Sequence, residues 1–226
     1  MAFSYCPKIV TDGLVLYLDA GNPLSYPGSG TTWTDLSRGQ NPGTLINGPT
    51  FDSGNAGSIV FDGVDDYVNI TPITTPSEIT LECFFYANST ASKVIIFGTT
   101  TLVYYTPRIS LRGNVVNIYF GGGGGSGDVI FTFNSITTNQ FYQLVYTYNT
   151  SDLHRCYLNG VAGTRTSNGT AINAIPQFTT LRLGVYPGGS DAAFNGTISI
   201  FRMYNKVLSA SEILQNYNST KGRFGL

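Results

Sequence analysis

The sequence predicts an all-β chain, a sandwich or barrel of short antiparallel strands with one short helix near the C-terminus. Three observations carry this. Helical periodicity is almost absent over the 226 residues. Short apolar runs recur at strand spacing, separated by Gly, Asn-Gly and Pro. Hydrophobic residues make up 42% and charged residues only 11%, with 15 Tyr and 14 Phe. That is apolar surface enough for a core, without the charge excess that keeps a chain disordered. An all-β unit of this length folds as one domain and needs no disulfide or metal to hold its core.

In order, "GLVLYLD" (13–19), "GSIVFDG" (57–63), "DYVNI" (66–70) and "ITLECFFYA" (79–87) read as strands. "KVIIFG" (93–98), "RISLR" (108–112), "VVNIYFG" (115–121) and "DVIFTF" (128–133) follow. Then come "FYQLVYTY" (141–148), "LHRCYLN" (153–159), "LRLGVY" (181–186) and "GTISIFRMYN" (196–205). Strict alternation puts Ile79, Leu81, Cys83 and Phe85 on one face and Thr80, Glu82 and Phe84 on the other. In the last strand it sets Ile198, Ile200, Arg202 and Tyr204 against Thr197, Ser199, Phe201 and Met203. Apolar groups on both faces of that strand call for cover on both sides.

Asn159-Gly160 between two extended runs predicts a two-residue type I′ hairpin, because both residues tolerate positive φ. In "SASEILQNY", Ser209 stands three residues before Glu212, which is a capping box. The helix it starts carries Ile213, Leu214 and Tyr217 as an apolar face, to cover a sheet edge or close the sandwich. Residues 1–10 read as an extended arm. Residues 219–226 read as a tail whose Phe224 and Leu226 either dock back or reach a neighbour. "GGGGGSG" (121–127) lacks the Gly-Lys-Ser/Thr and helix of a phosphate loop and reads as a connection between strands.

Twelve Lys and Arg against 13 Asp and Glu leave a net charge of −1. The basic residues are scattered singly, which argues against nucleic acid and against electrostatic attachment to membranes. No window approaches the ~20 apolar residues of a spanning helix. "MAFSYCPKIV" has no charged start followed by an apolar run, so no signal peptide is expected. Cys6, Cys83 and Cys156 are odd in number and far apart, and His154 is the only histidine. Buried reduced thiols and synthesis in a reducing cytosol fit that pattern better than a zinc site.

In "FDGVDDYV", Asp62, Asp65 and Asp66 crowd one turn. Aspartate favours such turns because its carboxylate accepts N–H groups two residues on. Calcium is the alternative, with these three supplying part of its six to eight oxygens. No cofactor is otherwise called for. Glycoside hydrolysis needs two facing carboxyls, about 5 Å or about 6.5–9.5 Å apart. The glutamates are Glu78, Glu82 and Glu212 alone, with no Glu-x-Asp-x-Glu pattern, so an enzyme is not expected. His154 reads as a hairpin-facing or solvated imidazole. Glycan binding needs an exposed aromatic face and hydrogen-bonding neighbours. Tyr26, Trp33, Tyr104, Tyr105 and Tyr186, with Asp191 beside the last, sit in loop-like stretches. Trp33 reads first as core packing, and Tyr186 reads equally as core or as a ligand face.

"DGLVLYLDAGNPLSYPGSGTTWTDLS", "NPGTLINGPTF" and "SIVFDGVDDYVNI" resemble the opening of laminin-G-like domains of the concanavalin A-like superfamily. "FYQLVYTYN…LHRCYLNG" and "FNGTISIFRMYNKVLSASEI" resemble that family's later strands and closing helix. The resemblance implies a two-sheet antiparallel jelly-roll sandwich with one short C-terminal helix, six or seven strands per sheet. It implies glycan binding or protein adhesion, sometimes with calcium, and hydrolysis in some relatives. The ending "SEILQNYNSTKGRFGL" resembles lectin-like domains in structural proteins of tailed bacteriophages, notably those infecting cyanobacteria. The function so implied is a non-enzymatic virion surface protein, a capsid decoration or display module, made in the host cytoplasm. Its implied partners are capsid or tail proteins and cell-surface glycans, and a tail-associated adhesin is the alternative.

Overall fold

A computed structural model describes residues 8–70, 73, 76–90, 94–99, 106–113, 115–121, 128–133, 136–149, 153–168, 181–185 and 193–226. Among these the strands are β1 (Leu14–Asp19), β2 (Thr32–Trp33), β3 (Gly43–Ile46), β4 (Thr50–Asp52), β5 (Ser58–Asp62) and β6 (Tyr67–Ile70). They continue as β7 (Ile79–Ala87), β8 (Val94–Thr99), β9 (Thr106–Arg112), β10 (Val115–Gly121), β11 (Asp128–Thr132) and β12 (Phe141–Asn149). The rest are β13 (Leu153–Leu158), β14 (Val161–Ala162), β15 (Thr164–Asn168), β16 (Leu181–Leu183) and β17 (Asn195–Tyr204). One helix, α1 (Ala210–Thr220), follows.

The strands form two antiparallel sheets of eight and nine, larger than the six or seven expected. The eight-stranded sheet runs β14-β13-β12-β7-β17-β5-β4, with β1 also paired to β17. The nine-stranded sheet runs β15-β11-β10-β9-β8-β16-β6-β3-β2. The core lies between them. Leu81, Cys83, Phe85, Leu144, Tyr146, Phe201 and Met203 from one sheet join Val68, Ile109, Leu111, Val116, Ile118 and Leu183 from the other. Cys83 and Cys156 are buried free thiols there, and burial pushes both thiol pKa values up. Cys6 lies outside the described residues.

The alternation predicted for β7 holds: Ile79, Leu81, Cys83 and Phe85 face the core, and Phe84 packs on the opposite side. In β17 a bulge between Ile198 and Ile200 breaks the alternation. Ile198 therefore joins the core, while Ile200, Arg202 and Tyr204 face outward. An extra residue in a strand re-aims every side chain beyond it. At the bulge Ser199 bonds Ser58, hydroxyl to hydroxyl, at 2.5 Å.

The outer face of the eight-stranded sheet is sealed by the C-terminal segment. The capping box forms as expected: Glu212 N–H donates to Ser209 Oγ (3.3 Å) and Ser209 N–H to Glu212 Oε2 (2.8 Å). The helix covers the sheet's face, not its edge. Its buried side is Ile213, Asn216 and Thr220, whereas Leu214 is 45% exposed. The predicted apolar face is thus displaced, because the sheet offers the helix charged and polar groups. Arg202 lies 3.2 Å from Glu82, both fully buried. Gln143 and Asn216 amides donate to the two Glu82 carboxylate oxygens at 2.7 and 2.9 Å. Val10 N–H donates to Asn216 Oδ1 (2.8 Å), which draws the start of the described chain into the same network.

Beyond the helix, Phe224 sits on a 3-10 turn (Lys221–Phe224) and docks back between Phe84 and Phe141, at 5.3 and 4.6 Å between ring centroids. Arg223 donates to Asp19 Oδ1 at 2.6 Å and to the carbonyls of Asn55, Ala56 and Gly57. The Asn159-Gly160 turn joins β13 to β14 with φ of 50° and 77°. No helix among the described residues is long and apolar enough to cross a membrane.

Candidate functional site

With one sheet capped, the outer face of the nine-stranded sheet has no covering helix among the described residues; its side chains are exposed or half-exposed along β2, β3, β6 and β16, whereas outward Ser110 on β9 and Asn117 on β10 are buried. In β6, buried Val68 and Ile70 point to the core, so half-exposed Tyr67 and Asn69 point out. By the same alternation Thr44 projects from β3, Thr32 from β2 and Arg182 from β16. Cross-strand register aligns them: Thr32 faces Thr44, Thr44 faces Asn69, and Asn69 faces Arg182. On the far side Arg182 faces Gly98, which has no side chain. The result is a row of hydrogen-bonding groups across four adjacent strands. The Arg182 guanidinium lies 4.3 Å from the Tyr67 ring centroid. This cation–π contact holds the guanidinium over the Tyr67 ring, with a strength of about 0.5–1 kcal/mol at a partly exposed site. Arg182 Nε is buried with no hydrogen-bond partner.

Arg108 and Arg112 project from the same face, since Ile109 and Leu111 between and beside them are fully buried. Across all nine strands the ionisable side chains are four arginines, Arg108, Arg112, Arg165 and Arg182, against one acid, Asp128. The eight strands of the sealed sheet carry Asp19, Asp52, Asp62 and Glu82 against Arg155 and Arg202. Of the chain's 12 basic residues those four arginines lie on the nine strands, and Arg165 sits beside buried Tyr146 and His154.

The Asp62–Asp66 turn lies at the end of this sandwich, between β5 and β6. Asp62 Oδ1 accepts Val64 N–H (2.7 Å) and Asp65 N–H (3.4 Å), the turn chemistry expected of it. Asp66 is buried, and its Oδ2 accepts Asp62 N–H at 3.0 Å. Burial pushes the Asp66 carboxyl up; the Asp62 N–H pulls it back in part, and the Asp62 and Asp65 carboxylates push it up further. The three offer ligand atoms within 4.8 Å of one another. Calcium takes six to eight oxygens, and two here already serve the turn. Of the acids on other loops that could complete such a shell, Asp19 is paired with Arg223, and Asp35 accepts the N–H groups of Tyr17, Ser37 and Asn41. Asp191 lies outside the described residues. The described residues thus fit the turn, and three carboxylates fall short of a calcium shell.

Among the aromatic candidates, Trp33 is fully buried in the core and offers no ring face to a ligand. Its place opposite Gly43 turns it inward, since a strand that shows Thr32 to solvent must bury the next residue. Tyr26 is also buried, with its hydroxyl on the Gly30 carbonyl. Tyr104, Tyr105 and Tyr186 lie outside the described residues. The flanks of the Tyr186–Asp191 stretch are placed: Phe194 N–H donates to Gly184 C=O at 2.7 Å, beside the Asp66 carbonyl. His154 is buried, not solvated. It shares a hydrogen bond with Tyr146 (2.9 Å), and burial with nearby Arg165 lowers its pKa to about 4. Arg182, Tyr67 and Asn69 were not singled out by the sequence. The one signal for Arg182 is its place between two leucines in "LRL", which alternation turns outward.

A profile of the "Concanavalin A-like lectin/glucanases superfamily" matches residues 62–214, more than half of the chain. No curated protein sequence matches significantly. Among solved structures, the binding domain of botulinum neurotoxin DC in complex with "SialylT" is similar with a TM-score of 0.72, at 15% identity over 93% of this chain and 52% of that one. Trypanosoma rangeli sialidase gives 0.70, at 16% identity over 99% of this chain and 36% of that one. Domain 4 of the extracellular arabinanase AbnA from Geobacillus stearothermophilus, in complex with arabinotriose, gives 0.68, at 17% identity over 92% of this chain and 100% of that one. This chain spans about half the length of the toxin binding domains. Such identities speak to fold alone. The profile match, the paired antiparallel sheets and the closing helix together place the chain in the concanavalin A-like lectin/glucanase superfamily.

Proposed function

We propose that this chain is a non-catalytic, glycan-holding surface module of a tailed-phage particle, a decoration or display domain. The observation that carries the binding role is the polar row Thr32–Thr44–Asn69–Arg182, with Tyr67 beneath the guanidinium, on a sheet face that no helix among the described residues covers. Planar rings and hydrogen-bonding side chains are what saccharide recognition uses. Two fold neighbours, the toxin domain with "SialylT" and the arabinanase domain with arabinotriose, carry such ligands in their own structures.

The glutamates support a role without hydrolysis. Glu82 is sealed against Arg202, Glu212 caps the helix, and Glu78 is exposed. The virion setting rests on the phage-like C-terminal sequence described above. A glycan array, read with and without calcium, tests the binding role; no bound glycan in either condition sinks it. Mass spectrometry of purified particles tests the setting, and the chain must be present at fixed stoichiometry with the capsid protein. Release of reducing sugar from algal or bacterial polysaccharide by the purified protein would overturn the non-catalytic reading.

A further inference from the structure

We infer that the ligand of the open face is an acidic saccharide, one bearing carboxylate or sulfate groups, and that Arg182 is the residue that takes its oxyanion. The inference rests on the glycan-binding reading and names the ligand class. Two features of the molecule lead to it. Arg182 is held by the Tyr67 ring and pairs with no acid among the described residues, and its Nε is buried without a partner. Its neighbours in the row, Asn69 and Gly98, are uncharged, so nothing beside it in the row neutralises the guanidinium.

The chemistry follows from geometry. A guanidinium presents two parallel N–H groups that match a carboxylate or sulfate edge, and such paired charged hydrogen bonds are the strong ones. An unpaired arginine that is already held over an aromatic ring has lost much of its rotamer freedom before the ligand arrives, so less is lost on binding. Asn69 and Thr44 stand beside it to take neutral hydroxyls of the same sugar or the next. Gly98 on the other side sets no side chain of its own against the guanidinium.

Calorimetric titration of the full chain with three oligosaccharides of equal length tests this: an oligogalacturonate, a sulfated galactan fragment and a neutral galactan fragment. The acidic pair should bind more tightly than the neutral one, and more weakly as salt rises. Arg182→Met should cut acidic-saccharide affinity roughly 10- to 100-fold, the worth of a charged hydrogen-bonded pair. Arg182→Lys keeps the charge without the fork and should fall between; it also serves if the methionine variant unfolds. Lys221→Met, a charge removed on the sealed side, should change affinity less than about twofold, which separates a local contact from net charge. Equal binding of neutral and acidic fragments, or an Arg182→Met variant that binds like the parent, would overturn the acidic subsite and leave the lectin reading standing. A parent chain that binds none of the three overturns the lectin reading, and the subsite with it.

Discussion

Single residues in this fold are asked to do opposite things with charge. His154 is kept neutral: its ring lies among Tyr146 and Tyr148, at 6.1 and 4.9 Å between centroids. In the unfolded chain the imidazole titrates near 6.5, and in the fold near about 4. Because the folded value is the lower one, the unfolded state takes up the proton first as pH falls. Stability is complete above about pH 6.5 and is lost down to about pH 4, by about 3 kcal/mol at most for a gap of this size. Urea midpoints across that range check it. In His154→Phe the slope between pH 6.5 and 4 should flatten, whatever constant penalty the variant adds; an unchanged slope would assign the acid sensitivity to other groups.

The turn aspartates show what a single residue discloses without a fold. Asp62 accepts the N–H two residues on, which its place before Gly63 already implied. Arg182 shows what a residue withholds. Its ring partner and its row are set by pairings that join residues 32, 44, 69 and 182, and no local pattern encodes them.

Among the elements, α1 is the one whose start is written in sequence. Ser209 and Glu212 satisfy each other's backbone N–H, and the Lys206 ammonium adds a contact to Glu212 at 3.0 Å. Ser209 is exposed, so its replacement probes the cap and not packing. Ser209→Ala should cost about 1 kcal/mol, read from chemical denaturation, and a loss near zero would mean that docking alone holds the helix.

Strand legibility follows position in the sheet. Interior strands such as β7, β12 and β17 are apolar on both faces and stand out in the sequence. The strands that pattern reasoning passes over include both ends of each sheet's strand order, β14 and β4 in one sheet, β15 and β2 in the other. An edge strand is short and polar by design against further pairing, so it carries little of the signal that betrays a strand. The helix's inward face was misassigned for a related reason. Asn216 and Thr220 face the protein because Glu82 and Arg202 wait beneath them, and an amphipathic pattern presumes an apolar floor.

Taken as a whole, the molecule is asymmetric about its core. One sheet carries buried charge under a helix, and the other turns Arg112 and Arg182 outward. The buried network couples parts far apart in the chain: Glu82 on β7, Gln143 on β12, Arg202 on β17, Asn216 on α1 and, through Asn216, Val10. Removing the carboxylate strands the Arg202 charge in a dry site. Glu82→Ala should therefore cost about 3–5 kcal/mol. A double-mutant cycle with Arg202→Met should recover much of it, since the penalty belongs to the orphaned charge. A single-variant loss below about 1 kcal/mol would mean that water reaches the site.

The docked tail has a practical corollary. Leu226 packs with Phe224 against the capped layer, on the side away from Arg182. An affinity handle or linker appended there departs from the rear of the domain, so a copy immobilised by its last residue on a sensor chip presents the sheet that carries Arg182 to whatever flows past.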